Sequence, residues 1–344
     1  MRGIIIESFG GPDHLIFRED LPDPVPGTGE VLVSVDAVGV NFTDVYQREG
    51  IYPRPLPFTP GSEGVGRIIA LGEGVVGDAA DDAATADDAD ADGAWSVGDR
   101  VAWCNAPDSY AEQVVVPADS LIAMPDGIPD DVAASVLLQG LTAHFLVHDV
   151  GRLSPGDTVL LTAGAGGVGL LLTQLAVAAG ARVASVVSSD AKEELAREAG
   201  ADLVLRYDDD FPARIRDWTG DDSPFGPGAD VVFDGVGAAT FDDSLRCARV
   251  RGLVALFGAA SGAVPPMDPQ KLNEHGSLSL TRPHLRHFIR DRAELTARAA
   301  DVLGRIADGT LRVRVGDRFP LADADAAHRA LQARSTTGSV VLVP

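Results

Sequence analysis

The run Thr158-Val-Leu-Leu-Thr-Ala163 leads directly into Gly164-Ala-Gly166-Gly-Val-Gly169, and residues of these types at this spacing suit the holding of a pyrophosphate. An apolar β-type run enters a glycine turn, Leu170 to Ala179 reads as a helix closed by Gly180, and Arg182 to Val187 follows as a second buried strand. That is the strand, loop and helix that set a dinucleotide on a helix N-terminus. Glycine at 164, 166, 167 and 169, with Val168 among them, allows the turn, lets backbone approach phosphate and lets helix pack on strand. A glycine turn that serves packing alone is the bland alternative, and the correct flanks on both sides argue against it.

Where a dinucleotide fold takes an unphosphorylated ribose, an acidic side chain about 20 residues past the glycines accepts from the 2′-OH. Here the second strand ends in Ser188-Ser189, and Lys192 follows Asp190. Hydroxyl donors and a cation suit a 2′-phosphate, which a carboxylate would repel. Lys192 is one of only two lysines, although a solvated helix-start lysine is the plainer reading and Asp190 pulls the other way. Asp234-Gly235-Val-Gly237 and Phe257-Gly258-Ala-Ala-Ser-Gly262 end β-runs in glycine, as strand ends facing a ligand do, and as tight turns also do.

The elements that must position these residues follow from periodicity. Candidate strands at 158–163, 183–187, 202–206, 230–234, 253–257 and 278–281, with intervening helices such as 191–199 and 241–249, fit a doubly wound parallel sheet. Before them, residues 1 to about 127 carry short β-type runs between Gly and Pro, which predicts a mostly-β domain beginning with a strand near Met1. Asp130 to His148 has helical spacing, with a break expected at Gly140. The tail predicts a helix over 294–306, a strand over 311–315, a helix over 322–333 and a last strand over 339–343 that returns to the first domain. The division expected is 1–127 with 286–344, and 128–285.

Composition narrows the function. Among 344 residues, 51 acidic against 28 basic leave a net charge of −23, which argues against nucleic acid or an anionic membrane as partner. No apolar run approaches the ~20 residues of a membrane span. Glu7 interrupts any signal-peptide core, and Cys104 and Cys247 make no disulfide framework, so a reduced, cytoplasmic protein is expected, its cysteines acting as small buried hydrophobes. Asp outnumbers Glu 39 to 12, which suggests adaptation to molar salt, where so acidic a surface is screened. Asp78 to Asp92 holds seven Asp, seven Ala and one Thr and reads as a solvated loop, with a cation site as the sharper alternative.

Taken with Gly10-Gly-Pro-Asp-His-Leu15, Asn41-Phe-Thr-Asp-Val-Tyr46, Gly50-Ile-Tyr-Pro53, Gly61-Ser-Glu-Gly-Val-Gly66, Gly140-Leu-Thr-Ala143 and Arg334-Ser-Thr-Thr-Gly338, the chain resembles the quinone oxidoreductases. These form the zeta-crystallin branch of the medium-chain dehydrogenase/reductase superfamily, and the likeness spans all but the acidic segment. It implies an α/β chain with a GroES-like catalytic domain and a Rossmann domain, NADPH as cofactor, and a homodimer, for which the edge near Ser277 to Thr281 could pair. It also implies that Lys192 and Tyr207 contact the 2′-phosphate, that Thr142 and Gly258 lie near the nicotinamide or diphosphate, and that Arg334 and Gly338 close over the cofactor. Gly235 joins the cofactor set from its strand end.

Zinc-dependent members of the superfamily use a Cys and a Gly-His-Glu where this chain has Asn41 and Ser62, so no metal is expected. His144 and His148 share a helix face by spacing but lack the Glu of HExxH. Hydride transfer to a quinone or enone puts charge on an oxygen, which calls for hydrogen-bond donors. Asn41, Tyr46 and Tyr52 could supply them and a flat wall, Asp44 would order the loop or a cofactor hydroxyl, and the proton would come from water. An enone or enal reductase is the nearest alternative. A non-catalytic or RNA-associated role, as some relatives have, fits the charge poorly.

Overall fold

The computed structural model describes residues 1–75, 94–220 and 225–344, so the expectation for the acidic segment 78–92 lies outside the described residues. Two compact units divide the chain: Met1–Leu138 with Asp291–Leu303 and Val315–Pro344, and Gln139–Arg290 with Gly304–Arg314. The first division falls within the helix Asp130–Phe145, the next in the loop at Arg290–Asp291, and a third within the helix Arg292–Ala307.

The first unit holds strands β1 (Gly3–Ile5), β2 (Ile16–Arg18), β3 (Glu30–Val40), β4 (Glu63–Leu71), β5 (Arg100–Cys104), β6 (Gln113–Pro117) and β7 (Leu121–Ala123), with helix α1 (Phe42–Arg48) and the start of α2 (Asp130–Phe145). Along β3 the inward residues Val31, Val33 and Val35 alternate with half-buried ones, until Val38 to Val40 is buried on both faces. That doubly covered end delivers Asn41 into the interior. Gly39 is required there, because a Cβ would stand 2.3 Å from Glu63 Oε1 and 2.5 Å from the Ala134 carbonyl.

The second unit contains β8 (Thr158–Thr162), α3 (Gly167–Ala178), β9 (Arg182–Val187), α4 (Asp190–Glu198), β10 (Leu203–Arg206), α5 (Phe211–Thr219), β11 (Ala229–Asp234), α6 (Phe241–Cys247), β12 (Ala248–Leu256), α7 (Gln270–Glu274) and β13 (Ser279–Thr281). Its sheet is parallel in the order β10-β9-β8-β11-β12-β13, the doubly wound arrangement, and β8 is buried along its whole length. Helix α3 is apolar nearly all round and buries Leu170, Leu171, Leu172 and Leu175. The chain then runs through α8 (Arg292–Ala307), β14 (Val315–Pro320), α9 (Ala324–Gln332) and β15 (Ser339–Val343). β15 pairs antiparallel with β3, Val340 opposite Val40, so the tail rejoins the first sheet, which runs β14-β15-β3-β4-β5-β7 with β6 also on β3. The chain is thus α/β, a GroES-like unit with a Rossmann unit.

Two expectations need correcting. Gly140 does not break its helix: α2 runs through it and continues into a π-helical turn at Leu146–Val150. The roughly 1 kcal/mol cost of a helical glycine is outweighed by burial of Leu137, Leu141 and Phe145 around it. The strand expected at 311–315 begins only at Val315. The Arg312 backbone N–H instead donates to Gln174 Oε1 (2.8 Å) and its carbonyl accepts from Gln174 Nε2 (3.0 Å), which satisfies the groups a strand partner would have taken.

Candidate active site

At the end of β8 the chain turns through Ala163, a non-glycine residue at φ 55°, and α3 starts at Gly167 with Gly166 as N-cap. A Cβ on Gly164 would fall 1.6 Å from Ser185 Oγ on β9, and one on Gly169 would fall 2.4 Å from the Ala163 carbonyl. Only glycine lets loop, helix and neighbouring strand come this close. Gly166 caps without a side chain, so the first-turn N–H groups of Gly167, Val168 and Gly169 point out of the helix end. With the positive end of the helix dipole they form a cradle fitted to a diphosphate. Ser185 Oγ, buried beside the loop, has no hydrogen-bond partner.

Gln139 Oε1 lies 1.9 Å from where a Gly167 Cβ would be, so α2 passes close to the loop, and Thr142, three residues on, shares that helix face and is half-buried. On the other side Gly235 and Gly258 touch: a Cβ on Gly258 would sit 2.3 Å from the Gly235 carbonyl. The turn at Gly235 to Gly237 is fixed by Asp234, which sequence reasoning did not assign a role. Fully buried, its carboxylate accepts from Thr162 Oγ1 (3.0 Å), the Val236 and Gly237 N–H groups (2.8 and 3.1 Å), Thr240 Oγ1 (2.9 Å) and Ser244 Oγ (2.8 Å). Asp before Gly-x-Gly at a strand end was the available signal.

At the carboxyl ends of β9 and β10, Ser188 is exposed, Ser189 is the N-cap of α4 and Lys192 is half-buried in its first turn. The Tyr207 hydroxyl oxygen accepts the Ala163 N–H at 2.8 Å, tying the end of β10 to the glycine loop. Arg206, unnoticed in the sequence, is bonded to Asp190 and lies 3.4 Å from Glu193 Oε2.

In the first unit the residues expected as a loop form helix α1, with Asn41 as its N-cap and Asp44 reaching back to the Asn41 N–H (2.8 Å). Asn three residues before Asp was a legible start signal. Asp44 is fully buried and also accepts from Ser62 Oγ and Tyr110 OH, each at 3.1 Å. Burial outweighs these donors and pushes its carboxyl up to about 6. Asn41 Nδ2 donates to Glu63 Oε1 at 2.6 Å, and Leu138 N–H donates to Glu63 Oε2 at 2.8 Å. Glu63 is pushed up to about 8, first by burial and then by the nearby Asp44. Tyr46 is buried and meets half-exposed Tyr52 edge to face at 5.3 Å, with Phe42 6.1 Å from Tyr46.

A buried chain anchors α1 from the far end of the sequence. Arg48 Nη1 can only donate, so His328 Nδ1 accepts (3.0 Å) and the ring proton is on Nε2. That proton goes to Tyr110 OH (3.1 Å), which in turn donates to Asp44. Burial, helped by Arg48, holds His328 neutral with a pKa lowered to about 3. Arg334 and Gly338, both with positive φ (55° and 66°), make the turn from α9 to β15, Arg334 exposed and Gly338 buried.

The side chains at the positions of the zinc ligands do not fit a metal. The Asn41 amide nitrogen is donating to Glu63, the Ser62 hydroxyl is donating to Asp44, and neither supplies the thiolate or imidazole that zinc prefers. Cys104 stands opposite Glu63 in the β4–β5 pairing, fully buried, its thiol pushed up by burial; Cys247 is buried too. The His144 and His148 rings lie 4.5 Å apart.

Family models match both units: the alcohol dehydrogenase GroES-like domain over residues 27–126 and the zinc-binding dehydrogenase domain over 167–302. A quinone oxidoreductase of Pseudomonas aeruginosa is 39% identical, covering 98% of each chain. A 2-haloacrylate reductase of a Burkholderia species is 36% identical over 99% of this chain and 98% of its own. Among solved structures, a mycobacterial protein complexed with NADPH superposes with a TM-score of 0.92 at 50% identity, covering 100% of both chains. The Escherichia coli quinone oxidoreductase complexed with NADPH gives 0.90 at 35% identity, again over 100% of both. With full-length likeness of this degree on a GroES-like and a Rossmann unit, the chain belongs to the quinone oxidoreductase family of the medium-chain dehydrogenases/reductases.

Proposed function

We propose that the protein is an NADPH:quinone oxidoreductase that works without zinc. The observation that carries the reading is that the polar groups at the zinc-ligand positions are already engaged, Asn41 with Glu63 and Ser62 with Asp44, in hydrogen bonds a metal site would need to give up. Relatives named quinone oxidoreductase, and neighbours complexed with NADPH, support the substrate and cofactor. The cofactor supplies a hydride when bound. The chain's own part is to grip the diphosphate with Gly164 to Gly169, to stack a flat acceptor against Tyr46 and Tyr52, and to hold Asn41 in one orientation. The amide cannot swing, because Glu63 fixes its nitrogen and helix α1 fixes its backbone. Water supplies the proton to the reduced oxygen.

The 2-haloacrylate reductase among the relatives favours one second reading, reduction of a conjugated alkene. NADPH consumption with benzoquinones, naphthoquinones, enones and 2-haloacrylate, at high salt and after exhaustive chelation, separates the two. Turnover confined to alkenes overturns the quinone reading, and loss of all turnover on chelation overturns the metal-free one.

We further propose a cytoplasmic homodimer adapted to molar salt. The exposed Leu280 on edge strand β13 supports pairing, and the net charge of −23 supports salt adaptation. No helix among the described residues is long and apolar enough to cross a membrane. Light scattering at multimolar KCl tests the dimer, and a monomer there refutes it.

A further inference from the structure

We propose that Arg206 selects NADPH over NADH, and that Asp190 and Glu193 hold its guanidinium until the 2′-phosphate takes their place. The proposal rests on NADPH as cofactor. In the parallel pairing of β9 with β10, Arg206 stands opposite Val187, so it emerges beside Ser188 and Ser189, where the second strand of a dinucleotide fold meets the adenosine ribose. Asp190 occupies the place from which an acidic side chain would accept the ribose 2′-OH of NADH. Arg206 already occupies that carboxylate, and Glu193 Oε2 stands 3.4 Å from the same guanidinium.

The exchange is chemically favourable. Asp190 is fully exposed, so its ion pair contributes little and its release to water costs little. Arg206 is 21% exposed and both carboxylates that meet it are themselves partly or fully exposed, so the guanidinium is reached from solvent. Glu193 keeps a second partner in Arg197 at 2.8 Å, so it too can let go without being stranded. A phosphate offers the guanidinium two parallel charge-assisted bonds and a larger charge than either carboxylate. With NADH no such anion arrives, and Asp190 stays neutralised by Arg206. The conflict between Lys192 and Asp190 in the sequence is thereby resolved: Asp190 is the occupant of an arginine, not a free NADH selector.

The test is equilibrium binding of NADPH and NADH by calorimetry to wild type, Arg206→Gln, Arg206→Lys, Asp190→Asn and the Arg206→Gln/Asp190→Asn double variant, all at one KCl concentration. Arg206→Gln should weaken NADPH about 10- to 100-fold and change NADH less than about twofold, the NADH constant serving as the check on folding. Arg206→Lys should recover only part, since an ammonium lacks the fork. Asp190→Asn should tighten NADPH several-fold, and in the double variant that gain should vanish. Equal weakening of both cofactors by Arg206→Gln, or unchanged NADPH affinity, overturns the proposal, as does weaker NADPH binding by Asp190→Asn. A wild type that binds NADH as tightly as NADPH would instead defeat the cofactor reading itself.

Discussion

Replacing Glu63 with Gln should remove the largest part of the first unit's loss of stability at alkaline pH. Glu63 is fully buried, with an ordinary value of 4.5 raised to about 8, so in the folded state it keeps its proton over a range where the unfolded chain has lost it. The folded state then binds more protons than the unfolded, and stability is fully present below about pH 4.5 and falls as pH rises through 8. Integrated from pH 5 to 9 at 1.36 kcal/mol per pH unit, the loss from this group is about 4 kcal/mol. Gln does not titrate and removes it. Its amide nitrogen must face either the Leu138 N–H or the Asn41 amide, however, which costs about 1–3 kcal/mol at every pH. The variant should therefore be less stable at pH 5 and overtake the wild type at alkaline pH. In a Trp218→Phe background, urea unfolding followed by tryptophan fluorescence reports on the first unit through Trp95 and Trp103, at constant multimolar KCl. A stability difference that stays flat from pH 5 to 9 would show that Glu63 is ionised in the fold and refute the reasoning.

Other outcomes are as specific. His328→Phe strands a donor of Arg48 and the Tyr110 hydroxyl in the interior and should cost about 3 kcal/mol or more, read by the same unfolding curves; a loss under 1 kcal/mol contradicts the chain described here. Gly164→Ala should cost about 1–3 kcal/mol and lower NADPH affinity, because its Cβ meets Ser185 Oγ; Ser185→Ala, which removes an oxygen without a partner, should be harmless alone and should rescue the alanine at 164 in a melting assay. Melting temperature should climb from low to multimolar KCl as the charge of −23 is screened, and a salt-indifferent melting point ends the case for salt adaptation.

The amino-acid order alone determined the Rossmann unit. Its strands were readable because each is a local event, most plainly at β8 and β11, where an apolar run buried along nearly all its length enters a glycine turn. Helix α1 was legible in its Asn41-to-Asp44 cap yet passed as a loop, since a seven-residue helix has too little periodicity to stand out. Tertiary structure decided what depends on partners distant in the chain. That Asn41 is held by Glu63, that Asp44 ends a chain begun by Arg48 and His328, and that Arg206 covers Asp190 follow from contacts across 22, 280 and 16 residues. Gln174 taking the backbone of Arg312 across 138 residues is the same lesson in reverse: the local pattern favoured a strand, and a distant side chain satisfied its polar groups first. Burial sets a hydrogen bond's worth and a carboxyl's charge, and burial exists only once the chain has folded.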